Sequence, residues 1–141
     1  MKHTKMNRCA AYVRTADPST SMHFMSIQEQ INQCRLYAKQ RGWVLPKRYI
    51  YVDRGRSGVL HTTRRAYKRM LTTATGKGNS PFGRIITVCA NGMHYDIASL
   101  FQICKDLRSK GVYLHFVLDA WDTENADWKK EMLKRSMDHL F

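Results

Sequence analysis

The sequence predicts an α/β fold, a mostly parallel sheet with helices on both faces. Three observations predict it. Apolar β-branched runs alternate with segments whose apolar residues recur at helical spacing, in the order β-α-β-α-β-α-β-α. Residues 84–90 form a continuous apolar run, as expected of a central strand buried on both faces. At 141 residues and 43% hydrophobic composition, the chain has the size and apolar content of one domain with one core. That single domain is expected to span 1–141, with its core over about 7–122 and a C-terminal helix over about 123–141.

Residues 7–14 read as the first strand, ending in Arg14. Asp17-Pro18-Ser19-Thr20-Ser21 is turn chemistry, so 15–25 is a loop. Ser26 with Glu29 three residues on is a capping box. Ile27, Ile31, Cys34 and Ala38 then keep one helical face, which Gly42 ends. Residues 43–52 read as a second strand, entered through Pro46 and followed by the glycine-bearing loop Asp53-Arg54-Gly55-Arg56-Ser57-Gly58. Tyr67, Met70, Leu71 and Ala74 mark a second helix that stops at Gly76. Residues 77–81 are a linker into the strand at 84–90, and Asn91-Gly92 breaks that strand. Ile97, Leu100, Phe101, Cys104 and Leu107 mark a third helix closed by Gly111, and 112–118 read as the last strand.

A weakly amphipathic helix follows Asp122-Thr123. Leu133, Met137, Leu140 and Phe141 are expected on one face, with Trp128 and Met132 alongside. Such a face is buried either by the chain's own core or by another subunit. Asp119, Asp122, Glu124 and Asp127 read as an acidic first turn favoured by the helix dipole.

Lys and Arg number 24 against 11 Asp and Glu, a formal charge of +13. That excess is the footprint of a polyanion, with nucleic acid ahead of an anionic membrane surface. Cys9, Cys34, Cys89 and Cys104 form no CxxC pair and all lie in apolar runs, so they read as small core residues in a reducing compartment. The six histidines are scattered without ligand spacing, so no metal is expected, and no cofactor motif is present. No run reaches the ~18 apolar residues of a membrane span. The basic start Met1-Lys2-His3-Thr4-Lys5 has no apolar stretch after it, so a cytoplasmic protein is expected.

Ala11-Tyr12-Val13-Arg14, then Ser26-Ile27-Gln28-Glu29-Gln30, then Tyr51-Val52-Asp53-x-Gly55-x-Ser57-Gly58, then Arg64-Arg65-Ala66-Tyr67, resemble the catalytic domain of serine recombinases, the resolvase/invertase family. The resemblance covers about 7–125 in motif order. It implies a serine at the end of the first strand that attacks a DNA phosphodiester, in a tetramer whose subunits exchange strands and religate. Bidentate guanidinium groups beside that serine neutralise the phosphate. Carried over residue by residue, it makes Arg14, Gln30, Asp53, Ser57 and Arg64 the lining of one pocket. Arg54, Arg56, Arg65 and Lys68 beside them read as DNA-backbone contacts.

The chain departs from the pattern where the chemistry sits. The family writes Arg-Val-Ser, and this chain writes Arg14-Thr15-Ala16, so a methyl group stands at the nucleophile position. Its Asp-Arg-x-x-Arg motif falls on Asn91-Gly92-Met93-His94-Tyr95, with Gly92 and Tyr95 in place of the arginines. The helix-turn-helix module that family members append is not found in this sequence. The reading is therefore a degenerate recombinase domain, a pseudoenzyme that binds DNA, recombinase subunits or itself through the C-terminal helix. Two alternatives stand beside it. One is an active recombinase with a displaced nucleophile or a serine engineered to alanine. The other is a regulatory α/β protein with no DNA role.

Overall fold

A computed structural model describes residues 4–15, 25–54, 64–89 and 97–137, with side chains described to Arg135. Five strands form one sheet: β1 (Cys9–Arg14), β2 (Ile50–Asp53), β3 (Arg84–Thr87), β4 (Tyr113–Phe116) and β5 (Trp121–Asp122). Four helices pack on it: α1 (Ile27–Gln40), α2 (Arg65–Thr75), α3 (Ile97–Ser109) and α4 (Trp128–Met137). The order across the sheet is β2-β1-β3-β4-β5, parallel except for the antiparallel β5.

Alternation along each strand divides the core in two. Ala10, Tyr12, Ile85, Leu114 and Phe116 meet buried residues of α2, α3 and α4 on one face. Cys9, Ala11, Val13 and Ile86 meet Cys34 and Ala38 of α1 on the other. The chain steps from β1 to β2 in one direction across the sheet, then returns past β1 to β3. Keeping both crossovers right-handed requires helices on opposite faces, which is where α1 and α2 lie. Connections leave β1 and β3 in opposite directions, so the topological switch point lies between their C-terminal ends, where open α/β sheets bind ligands. The residues that follow those ends carry Ala16 and Asn91–Tyr95, and both segments lie outside the described residues.

The capping serine is realised: Ser26 Oγ accepts from Glu29 N at 3.1 Å. Gly42 and Gly111 take φ of +74° at the ends of α1 and α3, where a side chain would be strained. All four cysteines are buried free thiols. Among the described residues no helix is long and apolar enough to cross a membrane.

Six expectations change. The strand expected over 84–90 spans Arg84–Thr87. Residues 5–7 form a 3₁₀ turn, Arg8 makes an isolated parallel bridge with Val44, and strand β1 begins at Cys9. The expected strand 43–52 shrinks to Ile50–Asp53, because Pro46 opens a 3₁₀ turn closed by Tyr49 N to Pro46 O at 3.0 Å. The strand 112–118 ends at Phe116. Ala120, at φ 56°, reverses the chain into β5, a strand the sequence reading lacks. The last helix starts at Trp128, and its first turn holds Glu131 rather than the four acids assigned to it. On that helix Trp128 and Met132, one turn apart, are the buried pair, while Leu133 is 60% exposed. Trp128 packs on Phe101 of α3 at 5.4 Å between ring centroids, which fixes the helix rotation. The Met137 side chain, Leu140 and Phe141 lie outside the described residues.

Candidate active site

Arg14, the last residue of β1, lies opposite Asp53, the last residue of β2. It follows Ala10 and Tyr12 in the alternation, on the α2 side of the sheet, and is 9% exposed. Thr15 N bonds Asp53 O at 3.0 Å, so the pairing continues past the strand end.

Asp53 is the hub. Its Oδ1 accepts from Ala66 N at 2.9 Å, and its Oδ2 accepts from Tyr67 N at 3.1 Å and from Tyr12 Oη at 2.8 Å. The first two bonds satisfy amides at the start of α2, whose own N-cap, Arg64, makes no side-chain cap bond. A carboxylate from a strand thus caps a helix that begins twelve residues further along the sequence. Arg64 Nε donates to Tyr12 Oη at 3.3 Å, and its guanidinium lies 4.1 Å from the Tyr67 ring centre and 5.3 Å from that of Tyr12. Burial pushes the Tyr12 phenol up to about 12 against the pull of Arg64, so it stays protonated and donates to Asp53.

From the α1 side, Gln30, 1% exposed, donates from Nε2 to Arg14 O at 2.8 Å and to Met25 O at 3.3 Å. It fixes the end of β1 to the start of α1. The structure therefore brings Arg14, Gln30, Asp53 and Arg64 to one edge of the sheet. Arg54, Arg65 and Lys68 are exposed beside them. Ala16, Arg56 and Ser57 lie outside the described residues. Tyr12 is the residue that sequence reasoning missed. The available signal was its place two residues before Arg14 on the same strand face.

Chemically, this edge carries the positive charges of Arg14 and Arg64 beside the Asp53 carboxylate. Asp53 is committed to three hydrogen bonds and serves as a brace, not as a free base.

A second polar cluster lies on the α1 side near β5. His115, Asp122 and Glu124 bring one ligand atom each within 4.8 Å of one another, a grouping absent from the sequence reading. Its geometry favours an internal cation. Arg84 binds Glu124 through Nε to Oε2 at 3.0 Å and Nη2 to Oε1 at 2.9 Å. Glu124 also bonds His115 Nε2, whereas Asp122 stands 3.9 Å from the opposite ring nitrogen, Nδ1. The carboxylates thus approach from two sides of one ring, and Arg84 already neutralises one of them. Tyr37 Oη completes the set, 2.9 Å from Nδ1. Burial lowers the His115 pKa in spite of both carboxylates.

Comparisons with known proteins bear on the family and the fold. The model of the resolvase N-terminal domain matches residues 9–138. The fold resembles the N-terminal catalytic domain of TP901-1 integrase, with a TM-score of 0.72 and 20% identity over 95% of each chain. It also resembles a resolvase-family site-specific recombinase from Streptococcus pneumoniae, with a TM-score of 0.70 and 19% identity over 93% of this chain and 85% of that one. No curated protein matches the sequence significantly.

Proposed function

The chain belongs to the resolvase family of serine recombinases as an N-terminal domain, and from that premise we propose that it serves site-specific DNA recombination by binding rather than by cutting. The observation that carries the reading is Ala16, two residues past Arg14. A covalent protein–DNA step needs an oxygen nucleophile, a place for its proton and donors for the phosphate oxygens. Arg14 and Arg64 supply donors, but the Ala16 methyl has no lone pair. Gly92 and Tyr95, at the positions of two family arginines, withdraw further positive charge.

In this reading the domain holds a DNA backbone through Arg14, Arg54, Arg56, Arg64, Arg65 and Lys68. It joins recombinase subunits, or copies of itself, through the C-terminal helix, on which Leu133 is exposed. Ser57, which the resemblance assigns to the same pocket, lies outside the described residues.

The test is a nicked suicide substrate incubated with the chain and resolved under denaturing conditions. The expected result is retarded duplex on a native gel and no covalent adduct. An adduct would restore the active-enzyme reading, with a displaced hydroxyl as nucleophile. A chain that fails to retard duplex at low salt would leave only the regulatory reading. Introducing Ala16→Ser with Gly92→Arg and Tyr95→Arg is expected to bring back the adduct on the retained frame.

A further inference from the structure

The positive charge is not spread evenly. Between Gln30 and Tyr95 the sequence holds thirteen Lys and Arg and a single acid, Asp53. That segment supplies most of α1, whose first turn carries Glu29 just outside it, and all of β2, α2 and β3. At the other end, α3, β5, α4 and the turns between them carry six acids, from Asp106 to Glu131, against seven Lys and Arg, from Lys105 to Arg135, and are close to neutral. The domain is therefore polarised across its sheet, with the β2 edge basic.

On that basic half lies a groove of about 440 Å³, lined by Tyr51 of β2 and by Lys68, Arg69, Thr72 and Thr73 of α2. The helix is organised to present it. Ala66, Tyr67, Met70 and Ala74 are buried, so the exposed ridge reads Arg65, then Lys68-Arg69, then Thr72-Thr73. Among the described residues no carboxylate pairs with Lys68 or Arg69. Thr72 and Thr73 direct their hydroxyl protons to Lys68 O at 2.9 Å and Arg69 O at 3.0 Å. Their oxygens are thus placed as acceptors, and the two cations are the donors for an anion.

We propose that the duplex DNA backbone held at Arg14 and Arg64 continues along α2 into this groove, where Arg69 joins Lys68 in contacting it. It deepens the DNA-binding reading above and rests on it. The ridge from Arg65 to Thr73 spans about 12 Å at 1.5 Å per residue. Within that length Lys68 and Arg69 can meet about one phosphate each, two contacts in all. Arg64 connects the two regions. Its side chain leans on Tyr12 and Tyr67 at the sheet edge, and its neighbour Arg65 opens the exposed ridge.

The experiment is fluorescence anisotropy of a labelled random-sequence duplex, titrated with the full chain at a series of salt concentrations. Two double variants remove equal charge: Lys68→Gln with Arg69→Gln in the groove, and Lys105→Gln with Lys110→Gln on the α3 side. Glutamine keeps helix propensity, and thermal melts check the fold. Each lost phosphate contact lowers the slope of log affinity against log salt by about 0.9. The groove variant is expected to lose about 1.8 in slope. Its affinity should then fall roughly tenfold less than that of the unaltered chain between about 50 and 200 mM salt. The α3-side variant should keep the slope. Equal slope loss in both variants, or an unchanged slope in the groove variant of a chain that binds, overturns the groove and leaves the DNA reading standing. An unaltered chain that does not bind duplex overturns both.

Discussion

Replacing Asp53 with alanine removes three hydrogen bonds from one carboxylate, to Ala66 N, Tyr67 N and Tyr12 Oη. The two amides revert to uncapped helix ends, and loss of a capping side chain costs about 1 kcal/mol. The Tyr12 hydroxyl, in a ring that is fully buried, loses its acceptor, and a bond to a charged partner contributes about 1.5–3 kcal/mol. Asp53 is only half-buried, so water recovers part of this. The expected net loss is about 3 kcal/mol. For a domain of this size that lowers Tm by about 9 °C. Urea denaturation should show the loss as a shifted midpoint at constant m-value. Asp53→Asn keeps an acceptor for one amide but turns an NH₂ group towards another donor, so about half the loss is expected. A cycle with Tyr12→Phe should give a coupling of about 1 kcal/mol, since the two groups share a bond. An Asp53→Ala variant within about 0.5 kcal/mol of the parent would refute the brace and reduce Asp53 to a solvated strand end.

Further expectations follow from burial and close approach. His115 titrates below its ordinary value because burial disfavours its charge. Its contribution is therefore complete above a pH of about 6.5 and is lost as pH falls below it. Burial alone would raise Glu124, but hydrogen bonds from Arg84 and His115 outweigh it and hold the carboxyl low, so its contribution fades at still lower pH, in the same sense. Urea midpoints should drop from neutral pH to about 5.5, and His115→Gln should flatten that slope, whereas a rise on acidification would contradict the cluster. Burial pushes the Cys9, Cys34 and Cys104 thiols up to about 12, and Cys89 is 2% exposed. Fewer than one thiol per folded chain should react with a disulfide reagent within minutes at neutral pH, and all should react in denaturant. A methyl group added at Gly76 would sit 2.6 Å from the Thr72 carbonyl oxygen. Gly76→Ala should therefore cost about 1–3 kcal/mol by displacing backbone at the end of α2, and a neutral outcome by calorimetry would show that the turn relaxes freely.

Local patterns were enough to place β1, the Ser26 cap and three helices, because capping, periodicity and turn chemistry act within a few residues, whereas Arg14, Gln30, Asp53 and Arg64 were singled out by the family resemblance. The same resemblance put Ala16 at the family's nucleophile position, where a methyl group has no lone pair in any conformation. The strand order 2-1-3-4-5, the two-residue β5 and the solvent-facing Leu133 came only from tertiary structure. So did the pairing of Arg84 with Glu124, forty residues apart, and the use of Asp53 to cap a helix and hold Tyr12. The reason is physical. A sequence states which groups need burial or a partner, but which partner each one meets depends on how helices and strands pack. That choice is made by long-range contacts that no local period encodes.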